Sequence, residues 1–320
     1  MKKILILGVT GQDGSLLADY LSEKKIKVFG LIRKSSNRNY DNIRKVLTKK
    51  NFKLVNGDLL DFFSIQNIIK NIKPDEIYNF ADQDHVRWSS QIPLYSFDVT
   101  ARSVFNILNV IKEYSPKSKY FQPFTSNMFG KAKKSKISEK EKFSPLSVYA
   151  LSKVNAFYIC EYFKTVHNLK IFGGIFFNHE SERRTSEYVT RKITKSAVRI
   201  FLNKQKKIKL GDINSKIDWG YAKDYVIAAH NMMQLKKPDY FIIGSGKAYS
   251  IKYFLQKSFE YLGLNYKKYL IIDKKLIRKV KNKTLIADTK KARKIFKFVP
   301  STNINKLIKI MINNDLELEK

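Results

Sequence analysis

Tyr149 stands four residues before Lys153 in 149-YALSK-153, and 123-PFTSNMFG-130 places Thr125, Ser126 and Asn127 at the end of an apolar run. Residues four apart on a helix share a face, so the phenol and the ammonium can address one point. A cation beside a phenol favours the phenolate. A phenolate so placed can take the proton of a substrate hydroxyl while the carbon that bears it is oxidised, and Thr125 can hydrogen-bond the same hydroxyl. Tyr-x-x-x-Lys alone is a common spacing. Its weight here comes from a second element, 8-GVTGQDG-14, which follows an apolar strand and opens an amphipathic helix. Gly8, Gly11, Gln12, Asp13 and Gly14 form a candidate dinucleotide loop. Its glycines allow a tight turn and a close approach of backbone N–H groups to a pyrophosphate at a helix N-terminus.

The second strand, 26-IKVFGLI-32, runs into 33-RKSSNR-38. An NAD site offers a carboxylate at this point for the ribose hydroxyls. Arg33, Ser35 and Ser36 instead complement the extra oxygens of a 2′-phosphate, so NADP is expected, with NAD as the alternative. Asp58 and Leu59 in 57-GDL-59 close the third strand, where the adenine would lie.

These residues need a scaffold, and the first half of the chain supplies its pattern. Apolar runs at 3–8, 27–32, 52–57, 76–81 and 119–124 alternate with amphipathic stretches at 15–25, 62–72 and 101–114. A long helical pattern over 147–167 and a strand at 170–177 follow. Strand–helix alternation of this kind predicts a doubly wound parallel sheet covered on both faces, a Rossmann-type α/β fold. After about residue 178 shorter helices near 188–203, 222–235, 250–262 and 303–318 surround brief strands near 207–210 and 239–243. That predicts a smaller α+β substrate-binding lobe. Residues 1–177 are thus expected to form the NADP-binding domain with the Tyr-x-x-x-Lys pair. Residues 178–320 are expected to be mainly the substrate lobe, interlocked with the first.

The 320 residues carry 62 Lys+Arg against 28 Asp+Glu, a formal charge of +34. The lysines are scattered, their densest runs (131–136 and 274–283) fall in expected loops, and no nucleic-acid-binding signature accompanies them. A solvated basic surface is therefore expected, with no nucleic-acid partner, although such a surface still draws anionic metabolites. No apolar run reaches the length of a membrane span, and the short run after Lys2 and Lys3 reads as a strand rather than a signal. The single Cys160 excludes an internal disulfide and a cysteine-based zinc cluster. His85, His167, His179 and His230 do not have a ligand spacing, so no metal is expected. A cytoplasmic location follows from this reading.

In 8-GVTGQDGS-15, 33-RKSS-36, 73-KPDEIYN-79, 123-PFTSNMFG-130, 149-YALSK-153, 176-FFNHESERR-184, 189-VTRKI-193 and 218-DWGYAKDY-225 the chain resembles the GDP-mannose 4,6-dehydratase family of extended short-chain dehydrogenases. The resemblance spans nearly the whole chain. It implies an NADP-bound enzyme acting on a nucleotide-diphospho-sugar: C4 of the hexose is oxidised, water is lost across C5 and C6, and the hydride returns to C6. It implies Tyr149 as base, Lys153 as its electrostatic support and Thr125 as hydroxyl ligand, with His179 and Arg184 beside the cofactor. It places Asn178, Val189, Arg191, Lys192, Gly211, Lys216 and Arg278 around a GDP-linked substrate. It further implies a homodimer or homotetramer, Arg33, Arg183 and Arg184 matching basic loops that meet across subunits in some members.

The departures from the family pattern fall near the same chemistry. The family has Thr-Ser-Glu where this chain has Thr125-Ser126-Asn127, and that glutamate removes the C5 proton. A neutral amide cannot. Ala-Gln-Ser-His-Val becomes 82-DQDHV-86, which brings in Asp82 and Asp84, and Ile217 replaces an arginine. Three readings follow: a dehydratase whose base has moved, with Asp84 as the candidate; a C4 epimerase, dehydrogenase or reductase without dehydration; and a non-catalytic NADP-binding protein.

Overall fold

The computed structural model describes residues 1–35, 40–277 and 283–320, in two compact units. The first comprises Met1–Ala132, Glu139–Phe176 and Val226–Ile242; the second comprises Lys133–Ser138, Phe177–Tyr225 and Ile243–Lys320.

Among the described residues, seven strands form the main sheet of the first unit. They are β1 (Lys2–Leu7), β2 (Ile26–Ile32), β3 (Phe52–Asn56), β4 (Glu76–Asn79), β5 (Lys119–Thr125), β7 (Lys170–Phe176) and β11 (Tyr240–Ile243), with the two-residue β6 (Lys136–Ile137) belonging to the second unit. The order is β11-β7-β5-β4-β1-β2-β3, and the pairs from β7 through β3 are parallel. The chain thus winds outward from β1 to β3 and returns beside β1 as β4. In such sheets ligands bind outside the carboxyl ends of the strands at that reversal.

The helices between them are α1 (Gln12–Ser22), α2 (Arg44–Leu47), α3 (Phe62–Ile72), α4 (Val86–Gln91), α5 (Pro93–Phe97), α6 (Ser103–Tyr114) and α7 (Val148–Val166). The α3 boundaries coincide with the amphipathic stretch expected there. Asp61 caps its start by accepting from the Phe63 and Ser64 N–H groups, Ile65, Ile69 and Ile72 face the core, and Lys73 ends it in a left-handed conformation. A π-helical turn at Asp98–Arg102 separates α5 from α6, a form frequent near functional sites.

The second unit contains α8 (Val189–Phe201), α10 (Ile251–Tyr261), α11 (Lys290–Phe296) and α12 (Ile304–Glu319), while α9 (Ala222–Met233) starts in it; β9 (Ile208–Leu210) pairs there with β13 (Leu270–Ile272), and β6 with β14 (Ile286–Ala287). Its core gathers Ile193, Ala197, Trp219, Phe254, Phe259, Leu307 and Met311. Three short strands, β8 (Asn178–Glu180), β10 (Lys216–Tyr221) and β12 (Ala248–Ser250), lie in the order β12-β10-β8. The central β10 was not expected from the sequence. Its Asp218 is 1% exposed and accepts the N–H groups of Ser245, Gly246 and Ala287 as well as the Ser245 hydroxyl. Burial pushes its carboxyl upward while those donors oppose the shift. The 218-DWGYAKDY-225 motif is therefore a scaffold: Asp224, at the start of α9, likewise holds the backbone at Ser301 and Thr302.

Candidate active site

The glycine loop sits at the sheet reversal. Gly8 has φ +76°, and a Cβ there would lie 2.6 Å from the Ala81 nitrogen, on the loop that leaves β4. A Cβ on Gly14 would overlap the Gly8 carbonyl oxygen. Gly11 caps α1 and its N–H donates to Gly8 O at 3.1 Å, so the turn closes on itself and directs the helix start outward. Gln12 is buried and its amide donates to Asp13 Oδ1 at 3.3 Å. The turn is built where side chains would not fit, a shape that suits a pyrophosphate. Arg33 and Ser35 lie exposed beyond β2, with Arg33 Nη1 donating to the Tyr95 hydroxyl at 3.1 Å. Ser36 lies outside the described residues. Asp58 Oδ1 accepts the Leu60 N–H at 2.9 Å, and Leu59 is buried beside it.

Thr125 ends β5 and is 7% exposed. Its hydroxyl oxygen accepts both the Asn127 N–H at 3.2 Å and the Asn127 side-chain amide at 3.1 Å. With its two lone pairs so used, the hydroxyl keeps one role, donation of its own hydrogen. Tyr149 and Lys153 occupy the first turns of α7, which Ser147 caps by accepting from Ala150 N–H at 3.1 Å. The Tyr149 N–H donates to Ser89 Oγ of α4 at 3.1 Å. Both side chains are buried, and Lys153 Nζ lies 5.9 Å from the Tyr149 ring centre. Lys153 Nζ also donates to Pro123 O of β5 at 2.8 Å.

The next partner, Asp82, has no role that could be read from the sequence alone. Asp82 Oδ2 pairs with Lys153 Nζ at 2.5 Å, with side-chain exposures of 11% and 3%. The other oxygen of Asp82 accepts the Gln83 N–H at 2.8 Å and the hydroxyl of Thr100, a residue of the π turn. Asp84, two residues on, is exposed. Below this loop Asn79 donates to the Tyr120 hydroxyl and to Gln122 Oε1, both at 3.0 Å, tying β4 to β5. Burial pushes the Tyr120 phenol well up.

In the second unit, Asn178 is exposed, and His179 Nδ1 meets Phe177 O at 2.9 Å while its ring stacks on Tyr225 at 4.7 Å. Arg184 lies over the Tyr188 ring at 3.3 Å and pairs with the buried Glu180 at 3.5 Å. Glu180 also accepts the Thr190 hydroxyl at 2.7 Å. Arg191 is 7% exposed; its guanidinium pairs with Asp315 of α12 and donates through Nε to Arg184 O. Burial lowers the affinity of this guanidinium for its proton. Val189 and Lys192 are half-buried at the start of α8, and Lys216 is exposed at the start of β10. Gly211 faces the chain at Leu276, whose carbonyl oxygen a Cβ would approach to 2.6 Å. Arg278 lies outside the described residues. Among those described, no group of three or more His, Cys, Asp or Glu side chains is arranged to hold a metal ion.

Comparison with known proteins identifies the family. The sequence model of the GDP-mannose 4,6 dehydratase family matches residues 5–311. GDP-mannose 4,6 dehydratase 1 of Arabidopsis thaliana is 40% identical over 329 residues, covering 100% of this chain and 91% of that protein. The human GDP-mannose 4,6 dehydratase is 34% identical over 339 residues, covering 98% and 91%. The crystal structure of dTDP-glucose 4,6-dehydratase from Bacillus anthracis in complex with NAD superposes with a TM-score of 0.87 at 19% identity, covering 100% of this chain and 98% of that one, a likeness of fold. The chain belongs to the GDP-mannose 4,6-dehydratase family.

Proposed function

We propose that the protein is a nucleotide-sugar dehydratase that removes water across C5 and C6 of a GDP-linked hexose, with GDP-mannose the first candidate and NADP the cofactor. Family membership supports the reaction class. The observation that carries the chemistry is the buried Tyr149–Lys153 pair, anchored to the backbone two residues before Thr125.

Gly8, Gly11 and Gly14, with Gln12 and Asp13 at the head of α1, fit a dinucleotide pyrophosphate. Arg33 and Ser35 present a cation and a hydroxyl where an NAD site presents a carboxylate, which favours NADP. Asp58 and Leu59 are assigned to the adenine, His179 and Arg184 to the nicotinamide side. When bound, the cofactor supplies the hydride acceptor and donor. Tyr149 takes the proton of the C4 hydroxyl, Lys153 favours its phenolate, and Thr125 donates to the same oxygen. A ketone at C4 makes the C5 proton removable, and Asn127 is no base. Asp84, an exposed carboxylate on the β4–α4 loop, is our assignment for that step.

Asn178, Val189, Lys192, Gly211 and Lys216 are assigned to the nucleotide diphosphate. Arg191, held by Asp315, steadies that segment from inside the unit. Residues 1–177 thus act as cofactor domain and 178–320 mainly as substrate lobe. No helix among the described residues is long and apolar enough to cross a membrane. We place the enzyme in the cytoplasm as a homodimer or homotetramer, without nucleic-acid partners.

The test is mass spectrometry of the product after incubation with NADP and a panel of nucleotide sugars led by GDP-mannose. Loss of one water is expected. An unchanged mass, or one lower by two hydrogens, would overturn the dehydratase reading in favour of C4 epimerisation or oxidation.

A further inference from the structure

Asp82 is not needed for the family's reaction, since the family motif carries alanine there, yet in this chain its carboxylate is the counter-ion of the lysine that serves the catalytic tyrosine. The pair is almost dry, and both Asp82 oxygens are fixed, one by Lys153 and the other by Gln83 N–H and Thr100. In such surroundings charges act on one another with little screening. The ammonium stabilises a phenolate at Tyr149, and a carboxylate hydrogen-bonded to that ammonium opposes it. We infer that Asp82 is a positioning residue for the oxidising set: it locks the Lys153 ammonium against the Pro123 carbonyl and offsets part of its charge, raising the pH at which Tyr149 becomes a proton acceptor.

The other ionisable groups packed around the pair leave this role to Asp82. Tyr120 of β5 and Cys160 of α7 are buried and pushed up by burial, so both stay neutral in the working range. From the π turn, Asp98 and Arg102 pair with each other at 2.8 Å. From α5, Tyr95 accepts from Arg33, and at the head of α4 the His85 ring accepts the Trp88 N–H. The third N–H of Lys153 remains for a ligand oxygen, so the clamp fixes the ammonium without consuming it.

The inference rests on the proposed role of Tyr149, and its test uses a readout independent of turnover. Ultraviolet phenolate titration of the full chain, with and without NADP, would be compared for wild type and Asp82→Asn, each against its Tyr149→Phe counterpart to isolate the Tyr149 transition. That transition is expected to move down by about one pH unit in Asp82→Asn, and the acid limb of kcat to move with it where the enzyme turns over. Asp82→Ala, the family's own residue, carries the same expectation if Asp82→Asn does not fold. An unmoved transition overturns the inference, and so does failure of both variants to fold, which would make Asp82 structural. A moved transition in a protein that releases no water would sustain this inference and sink the dehydratase reading; an unmoved one in an active dehydratase would do the reverse.

Discussion

The two ends of β4 carry two clusters of buried ionisable groups, and they serve different purposes. At the amino end, Glu76 is 1% exposed and holds Lys2, the Gln234 amide at 3.0 Å and the Tyr78 hydroxyl at 2.9 Å, with His230 Nδ1 3.3 Å from that hydroxyl. Past the carboxyl end, Asp82 holds Lys153, Thr100 and the Gln83 backbone. Both clusters satisfy their carboxylates, as buried charges require. Only the second lies beside the glycine turn and Tyr149, to which we assign the proton transfer. Parallel sheets of this topology leave a crevice at the carboxyl ends of their strands, while their amino ends are closed by turns and side chains. The same chemical vocabulary therefore makes a brace at one end and, at the other, the surroundings of the proposed reaction centre.

Substitutions can separate brace from centre. The largest effect is expected for Tyr149→Phe, which removes the proton acceptor and should lower the rate of product formation by about 10²–10⁴. Steady-state kinetics with unchanged thermal unfolding would place Tyr149 at the centre; a residual rate near wild type would remove it. Asp84→Asn should cost the water-loss step a comparable factor of about 10²–10⁴, yet leave C4 oxidation detectable as transient nicotinamide absorbance in single turnover. Adding Asn127→Glu to that variant should restore water loss by about tenfold or more, because it returns a carboxylate to the place the family uses. Full water loss in Asp84→Asn alone would assign the base elsewhere.

The amino-end cluster should instead affect stability. Burial lowers the His230 pKa to about 4 from an ordinary value near 6.5, against the opposing pull of Glu76. The unfolded chain then binds the extra proton between those values. The stability from keeping His230 neutral is complete above pH 6.5 and is lost as pH falls toward 4, about 3 kcal/mol in all. Urea unfolding at neutral and mildly acidic pH should show this loss in wild type and much less of it in His230→Asn, with turnover per folded molecule the same at neutral pH. A rate change without a stability change would contradict the division between the two ends.

The alternation of apolar runs and amphipathic stretches was enough to place β1 to β5, α1, α3, α6 and α7, because core-facing helices and buried strands each impose their own period on the sequence. The glycine spacing and the Tyr-x-x-x-Lys pair were legible for the same local reason: a loop that admits no Cβ and a single helical face are written in consecutive residues. Among the short strands of the second unit, Ile208–Leu210 falls on the run expected at 207–210, whereas β8, β10 and β12 were not legible. The three residues of β8 carry no period, and β10 owes its place to Asp218 gathering backbone groups up to 69 residues away. Arg191 reads as a ligand for phosphate until Asp315, far along the chain, is seen to hold it.

Neighbours in the chain were enough to make the family resemblance, the glycine loop and the Tyr149–Lys153 spacing visible, since each is written in short stretches of residues. Long-range packing sets where the two new aspartates lie. Asp82 and Asp84 are one residue apart from being adjacent and chemically identical in the sequence, yet one is turned inward onto Lys153 and the other lies exposed. That difference arises from the path of the β4–α4 loop against β5, the π turn and α7, and long-range packing of this kind leaves no local signature.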